Sequence, residues 1–356
     1  MKDITKNRKL AGPILIRSDC LSFMESDDPE QSQLQIFADC DHQHLLILEQ
    51  KLKKMDADFH KMEEMLQILE RKLMAPETQQ TKVASGRNRN KEIKPKKPKL
   101  LSADQMDSEY VPCWPDDQNA VKYKRSDIKY IHILDSLADA SDKAWDVSAE
   151  RDGSVKCWVD QVDNSNVLFI AGEGGVTADE DSHKLFMDYS SAAAMNVNTL
   201  DVSGVRNMSE MFAYCTNLET LDLSGWDVSN AETMRAMFLY CKSLKKIKLS
   251  NWKTDRVKDM SDMFSICANL SEIDVRNWNT SRVTSMRSMF NRCESISSLD
   301  LSRWDLSNVN DFSFMFQSCE NLETLKMNMN MAAGSARKQC MFNLCKKVAI
   351  VVPSID

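Results

Sequence analysis

A single interval of 26 residues organises the second half of this 356-residue chain. Cysteine returns at that interval, and a Met-Phe pair begins four residues before each cysteine. Tryptophan keeps the same interval. The columns are Cys215, Cys241, Cys267, Cys293, Cys319 and Cys345, and Trp226, Trp252, Trp278 and Trp304. Apolar residues that recur at one fixed interval predict stacked repeats, because each unit must bury its apolar face on its neighbours.

One repeat, represented by residues 218–244, combines two periodicities. Leu221-Asp222-Leu223 alternates apolar and polar residues, which is typical of a short strand with one buried face. A segment rich in turn-forming residues follows. Five apolar residues then occur at the spacing of one helix face: Met234, Met237, Phe238, Cys241 and Leu244. The sequence therefore predicts a strand-turn-helix unit.

Stacking of these units predicts an α/β repeat solenoid over residues 185–352, in which strand pairs with strand and helix packs on helix. A degenerate first unit begins at Leu185-Phe186, with Tyr189 in the cysteine position. Disulfides along the cysteine column are disfavoured, because packed helices lie about 8–10 Å apart and a disulfide needs Cα atoms within about 7 Å. We interpret the thiols as small buried side chains. A metal or redox role is the alternative.

Three repeats carry a resemblance to a known family. They read LDLSGWDVSNAETMRAMFLYC, IDVRNWNTSRVTSMRSMFNRC and LDLSRWDLSNVNDFSFMFQSC. These segments resemble the unit LDLSxWDTSNVTxMxxMFxxC of the BspA-type leucine-rich-repeat family, also known as DUF285 repeats. The stretch WDVSAERDGSVKCW over residues 145–158 resembles the segment that precedes those repeats. The resemblance implies a right-handed solenoid, a role in adhesion or protein binding at the cell surface, and no agreed catalytic residues.

Residues 121–190 predict a small α+β cap in front of the repeats. Ile128 to Ala138 has apolar residues at helix-compatible spacing, and Val155–Val159 and Val167–Ala171 are typical of strands. Turn-forming residues separate and follow the two strands. A stacked array exposes the apolar face of its first unit, so a small domain at this place is expected to cover it.

Residues 45–74 predict a coiled-coil helix. Large apolar residues alternate there at intervals of three and four residues. They are Leu45, Leu48, Leu52, Met55, Phe59, Met62, Leu66, Leu69 and Leu73. Pro76 ends the pattern. An isolated helix with this seam would expose a long apolar stripe to water, so we expect it to join copies of the chain into a homo-oligomer. Packing on its own protein is the alternative.

The remaining segments lack a clear pattern. Residues 1–44 are poorly patterned, and their short apolar patch from Leu10 to Ile16, broken by Pro13, does not predict a secretion signal. Residues 75–120 predict a basic flexible linker, with eight Lys or Arg against one acid between residues 82 and 99. Nucleic-acid binding is not expected, because no aromatic residues are interleaved with these charges and the chain as a whole is acidic.

Composition bears on the location of the protein. No stretch approaches 18 consecutive apolar residues, so no membrane span is expected. Eleven cysteines without a close disulfide framework, together with the absence of a predicted signal, favour a reducing, cytoplasmic compartment. The family resemblance implies the cell surface or secretion instead, and the sequence leaves both open.

The polar residues between the buried strand positions are the candidate binding residues. On stacked strands they point outward together in a row of mixed charge, the natural recognition surface of a repeat array. We name this surface the strand face. It comprises Thr220, Asp222, Lys246, Lys248, Glu272, Asp274, Ser298, Asp300, Thr324 and Lys326. For each single residue, a merely solvated position is the alternative.

The sequence does not predict an enzyme. The five histidines do not lie in a pattern typical of a catalytic triad, and repeated positions form a surface rather than one asymmetric active site. We predict no catalytic residues, no cofactor and no metal. The leading hypothesis is a scaffold that binds a protein or glycan partner through the strand face, with avidity from the coiled coil. The alternatives are a cell-surface adhesin, a cytoplasmic adaptor that binds through its coiled coil, and an enzyme with an unrecognised site in residues 121–190.

Overall fold

A computed structural model of the protein describes residues 98–100, 109–113, 123–328 and 336–351. The predictions for residues 1–44 and for the coiled coil at 45–74 lie outside these ranges. The described residues fall within one compact unit of the chain. Their regular elements are ten strands and one short 3₁₀ helix, Arg125–Asp127, and they contain no α-helix.

A mixed five-stranded sheet precedes the repeats. Its strands are β1 (Ile128–Leu134), β2 (Trp145–Asp146), β3 (Val155–Val162), β4 (Ser165–Gly172) and β5 (Ala194–Asn196). Their spatial order is β2-β3-β4-β1-β5. Strands β3 and β4 form an antiparallel hairpin, while β1 pairs in parallel with β4 and β5. Asp163 and Asn164 close the hairpin with φ of 48° and 60°, the left-handed conformation that a tight two-residue turn requires.

The helix-compatible spacing of the apolar residues after Ile128 does not correspond to a helix in the structure. The segment forms strand β1, in which Ile131 and Ile133 are buried on the same side. Side chains two residues apart share a face only in a strand, and β-branched isoleucine suits a strand better than a helix. Strands β3 and β4 include the two segments that were predicted as strands. The described part of the cap is therefore built from strands and a 3₁₀ turn.

Two segments of the predicted linker belong to the cap instead. Leu100, Val111 and Cys113 are buried in the main core. The Leu100 N–H donates to the carbonyl of Thr177 at 2.9 Å, and the indole N–H of Trp145 donates to the carbonyl of Pro112 at 2.7 Å. The side chains of Leu100, Val111 and Cys113 are thus part of the core rather than of a solvated spacer. The flexible-linker assignment is wrong for residues 98–100 and 109–113.

A buried arginine joins the cap to the first repeat. Arg125 is 2% exposed, and its guanidinium donates to the carbonyls of Tyr110, Lys184 and Met187 at 2.7, 2.8 and 3.0 Å. Its charge also lies 5.4 Å from the ring centre of Tyr189. A buried charge is costly unless its donors are used, so these contacts fix the position of the first repeat against the cap.

Successive repeats pair in parallel at two places. The first is formed by β6 (Thr220–Asp222), β7 (Lys246–Lys248), β8 (Ser298–Leu301), β9 (Thr324–Met327) and β10 (Ala349–Val351). Strand β6 pairs with β7, and β8, β9 and β10 form a second sheet. The second place is a line of parallel bridges at Asn207, Thr233, Asp259, Ser285, Asp311 and Arg337. The 26-residue interval of the sequence is thus the register of the stack.

The predicted helix of each repeat is wrong, and consecutive turns take its place. Alternate N–H groups donate to the next repeat rather than to a carbonyl four residues back, as in the bonds from Phe238 to Met263 and from Tyr240 to Ser265 at 2.9 and 2.8 Å. The residues that would form the helix face are nevertheless buried. Spacing alone cannot separate the two structures, because a run of tight turns also places residues i, i+3, i+4 and i+7 on one side.

Left-handed residues mark these turns. In the repeat that contains Cys241, Ala236 and Tyr240 have φ of 54° and 65°, and each following repeat has a matching pair. Such a conformation costs a non-glycine residue about 1–2 kcal/mol. The backbone bonds to the neighbouring repeat offset that cost, since a buried N–H without a partner is itself unfavourable by about 1–3 kcal/mol.

Side-chain columns fill the space inside the stack. Seven phenylalanines from Phe186 to Phe342 stack with ring centres 5.3 to 5.8 Å apart. The column thiols are buried and none is in a disulfide among the described residues, and each donates to the carbonyl of a phenylalanine in the preceding repeat, as Cys267 does to Phe238 at 3.2 Å. Burial raises the pKa of the Cys241 and Cys267 thiols, so they remain protonated donors.

The turn structure can be tested with a glycine and an alanine at position 292, where the exposed arginine has φ of 58°. We expect Arg292→Gly to unfold with a free energy about 1 kcal/mol higher than Arg292→Ala, because glycine adopts the left-handed region without strain. In a helix, alanine would be the more stable by a similar amount. Urea denaturation measures the difference.

The matched control is Arg287, whose φ is not positive. Arg287→Gly and Arg287→Ala lose the same contacts with Asp311 and Phe314, so alanine should be at least as stable as glycine there. A preference for alanine at both positions would contradict the turn assignment.

The thiol donor can be tested by comparing Cys267→Ala with Cys340→Ala under reducing conditions. Cys267→Ala should lower the free energy of unfolding by about 1–3 kcal/mol, because it removes the S–H donor and leaves a small cavity. Cys340 is exposed and lies off the column, so its replacement should change stability by less than about 0.5 kcal/mol. Equal small changes would contradict a stabilising role for the buried thiol.

Candidate functional site

The strand face contains all ten candidate residues on its outer side. Asp222, Asp300 and Thr324 are half-buried, and the other seven are exposed. Two of the apolar residues between them, Leu221 and Leu299, are at most 4% exposed. Parallel register places Asp222 beside Lys248 and Asp300 beside Lys326. The structure thus brings these polar side chains together in columns across the repeats.

Ion pairs between repeats neutralise part of this surface. The Lys248 ammonium lies 2.7 Å from the Asp222 carboxylate, and the Lys326 ammonium lies 3.9 Å from that of Asp300. Both pairs lie at the protein surface with an exposed lysine, and surface pairs contribute about 0–1 kcal/mol each. They specify which repeats lie side by side more than they stabilise the stack.

Two of the candidate carboxylates also have a structural task. The Asp300 carboxylate accepts hydrogen bonds from the N–H and hydroxyl of Ser302 at 3.1 and 2.6 Å. Asp222 accepts the same pair from Ser224 at 3.0 and 2.6 Å. These bonds close the turn that follows each strand. One oxygen of Asp222 and of Asp300 is therefore committed to the fold, which the sequence interpretation did not foresee.

Hydrogen bonding sets the charge state of these acids. Donation from Ser302 is the main cause that lowers the pKa of Asp300 below its ordinary value, with a further contribution from Lys326. Donation from Arg276 is the main cause that lowers the pKa of Asp274. Both side chains are therefore ionised at neutral pH, so the strand face carries their negative charges.

The strand ladder is interrupted between β7 and β8. Glu272 bridges to Lys246, but within residues 123–328 no strand pairing connects residues 273–275 with β8. Ile273 is only half-buried, whereas Ile247 at the equivalent position is 5% exposed. The buried indole N–H of Trp278 has no acceptor among the described residues, although Trp252 and Trp304 each donate to a carbonyl of the preceding repeat. The regular stack is thus locally distorted.

A polar depression lies beside this interruption. It has a volume of about 290 Å³ and is lined by Arg276, Asn277, Asp300, Ser302 and Arg303. Both Nε and Nη2 of Arg276 donate to the Asp274 carboxylate at 3.0 Å. Arg303 donates from Nη1 to the Asn277 side-chain oxygen at 3.0 Å. The depression therefore combines two guanidinium groups with one carboxylate, a set of groups suited to binding polar or charged ligands.

Sequence reasoning named Asp274 and Asp300 but missed Arg276 and Arg303. A signal was present, because arginine at 276 replaces the serine that follows the strand in LDLS, giving IDVRNW. Arg303 likewise follows Ser302 in a position that other repeats fill with glycine or asparagine. Departures from the repeat mark the place where one unit can have properties that the others lack.

The surface formed by the turns also carries ion pairs. Glu210 lies 3.8 Å from Lys184 and 3.4 Å from Arg235, and Asp311 lies 4.0 Å from Arg287 and 3.6 Å from Arg337. These contacts run from repeat to repeat, so they serve the order of the stack.

No group of three or more His, Cys, Asp or Glu side chains in the described ranges is arranged to hold a metal ion. Among residues 98–100, 109–113, 123–328 and 336–351, no helix has the length and apolar character that crossing a membrane would need.

Comparison with known proteins gives a family for the repeats. Residues 180–248 and 241–352 match the sequence profile of a family described as a Mycoplasma protein of unknown function, DUF285. Residues 180–352 belong to the DUF285 repeat family. Neither the curated proteins nor the solved structures contain a match to this chain. The DUF285 repeats therefore contain the strand face and the depression, and the family description assigns no function to either.

The carboxylates of the strand face predict a dependence of stability on pH. The folded pKa of Asp300 lies below its unfolded value near 3.8, so its contribution to stability is present above that pH and is lost as pH falls through the folded pKa. Asp300→Asn keeps an oxygen acceptor for Ser302 but has no charge to lose. Between pH 7 and about pH 3, the variant should therefore lose less stability than the unmodified protein.

Chemical denaturation at both pH values measures this difference. Glu294→Gln, which removes one acid elsewhere on the repeat surface, is the matched control for the change in net charge. If Asp300→Asn and Glu294→Gln alter the pH dependence equally, the Asp300 turn is not the cause.

Proposed function

We propose that this protein is a non-catalytic scaffold, in which DUF285 repeats form a solenoid that binds a protein partner through the strand face. The parallel pairing of successive repeats at two places supports a solenoid. A flat array of outward side chains at a fixed spacing suits an extended partner, because each repeat can contribute one or two contacts.

The depression beside Arg303 is the observation that supports this function most directly. It is a concavity in the surface of the repeats, and its lining is polar and charged. Partner recognition needs both a broad contact area and a feature that orients the partner. On the strand face, the columns of polar residues provide the contact area, and this depression provides the orienting feature.

Two other features of the proposal rest on the sequence. Residues 45–74 would join copies of the chain through their apolar seam, so that several weak contacts act together. An adaptor would bind its partner mainly through the coiled coil instead of the strand face. A surface adhesin, as the BspA-type resemblance implies, would act outside the cell. A glycan partner is the alternative ligand for the strand face.

The binding surface can be tested by photo-crosslinking in the native host. The full chain would carry a photoreactive amino acid at position 248 on the strand face or, as a control, at position 292 on the turn surface. A partner band should appear for position 248 and be absent or much weaker for position 292. Equal yields from both positions would overturn the assignment of the strand face. Protease and glycosidase treatment of the product distinguishes a protein from a glycan.

The oligomeric state can be tested by deleting residues 45–74. Light scattering should show the mass falling from an oligomer to one copy of the chain, while circular dichroism of the repeats is unchanged. If the mass does not change, self-association through this segment is wrong. If partner binding disappears and the isolated monomer remains folded, the adaptor hypothesis is favoured. Protease treatment of intact cells distinguishes the adhesin, which must be accessible from outside.

A further inference from the structure

The corner that follows each strand differs between repeats. Its first position contains Ser224, Ser250, Arg276 and Ser302 in successive repeats, and its second contains Gly225, Asn251, Asn277 and Arg303. Two neighbouring repeats thus each place an arginine where the others have a small or uncharged polar residue. The interruption of the strand ladder falls between these same two repeats.

The two arginines are not equivalent. Arg276 directs one edge of its guanidinium, Nε and Nη2, at Asp274 in a two-bond contact. Arg303 uses only Nη1, which donates to Asn277, and its Nε and Nη2 make no hydrogen bond to other described residues. A guanidinium presents donors in a planar fork that matches the two oxygens of a carboxylate. Arg303 is exposed and held in place by Asn277, so it is the available anion-binding group of the depression.

Asp300 adds a negative charge to the depression, beside the positive charge of Arg303. Its carboxylate is held by Ser302 and lies 3.9 Å from the Lys326 ammonium, and it lines the same depression as Arg303. A simple anion would use Arg303 and be repelled by Asp300. A ligand that has a carboxylate next to an N–H donor would use both, and an acidic residue in an extended polypeptide has these two groups.

We propose that the depression binds an acidic side chain of an extended polypeptide segment, with Arg303 as the anchoring residue and Asn277 as its positioning residue. This assignment rests on the proposed function of the strand face and specifies the class of partner. The carboxylate of the segment accepts from Nε and Nη2 of Arg303, while a backbone N–H of the segment donates to Asp300. Bidentate contact with Arg303 gives the site its preference for acidic residues.

The strand face favours an extended segment, because its outward side chains form columns across successive repeats that an extended chain can follow. Alternate side chains of an extended peptide point the same way. A segment in which acidic residues alternate with other residues therefore directs several carboxylates at the repeats, and one of them can enter the depression.

The experiment uses the full-length protein and a capped peptide in which glutamate alternates with threonine. Isothermal titration at low ionic strength, where exposed charges are least screened, measures its affinity. We expect Arg303→Gln to weaken binding about tenfold, since it removes a charge-assisted contact. Arg303→Lys should also weaken binding, because an ammonium cannot make the two-bond contact. The same peptide with glutamine in place of glutamate should bind poorly to every form.

Arg292→Gln is the matched control, because it removes an exposed arginine from the turn surface and leaves the depression unchanged. It should alter the affinity by less than about twofold, and circular dichroism should show all variants folded. Equal weakening by Arg292→Gln and Arg303→Gln, or no binding of the peptide at all, would overturn the proposal.

Inorganic sulfate provides a further arm. If sulfate competes with the peptide at a similar concentration to free glutamate, the site binds simple anions and the polypeptide assignment is wrong. These titrations do not affect the crosslinking result expected at position 248. The strand face could therefore be established as the binding surface even if the acidic ligand is refuted.

Discussion

The structure of the repeats depends on backbone hydrogen bonds that run between units instead of within them. In the turn segments, alternate N–H groups such as that of Phe238 reach a carbonyl of the next repeat. A helix would use those same groups internally and would leave its neighbours to associate through side chains alone. Because each repeat satisfies the backbone of the one before it, no single unit has a complete set of partners, and stability accumulates only in the stack.

This constraint explains several unusual features at once. Non-glycine residues such as Tyr240 adopt left-handed φ, since the chain must turn repeatedly to keep its N–H groups aimed at the neighbour. The column cysteines are small enough to lie under the aromatic stack, and their thiols donate to phenylalanine carbonyls of the preceding repeat. Arg125 meets the same requirement between the cap and the first repeat, where the carbonyls of Tyr110, Lys184 and Met187 accept its donors.

The candidate site arises where this regularity fails. Beside the interrupted ladder, Arg276 replaces a serine that elsewhere closes a turn, and Arg303 lines a polar depression. A perfectly periodic stack offers identical positions along its length, so discrimination between partners requires a departure from the repeat. Columns of paired charges set the order of the units. The departure at Arg276 and Arg303 provides one chemically distinct position.

The sequence by itself determined the repeat interval, the columns of buried residues and the outward direction of the strand-face side chains, because burial and alternation depend on residue type and spacing. It did not determine the conformation between the strands. Met234, Met237, Phe238 and Cys241 have the spacing of a helix, yet turns bury the same four residues. The choice was made by tertiary structure, since only a neighbouring repeat supplies the acceptors that offset the left-handed residues. The pairing of Arg303 with Asn277, and hence the depression, likewise required the stack, because these residues lie 26 positions apart.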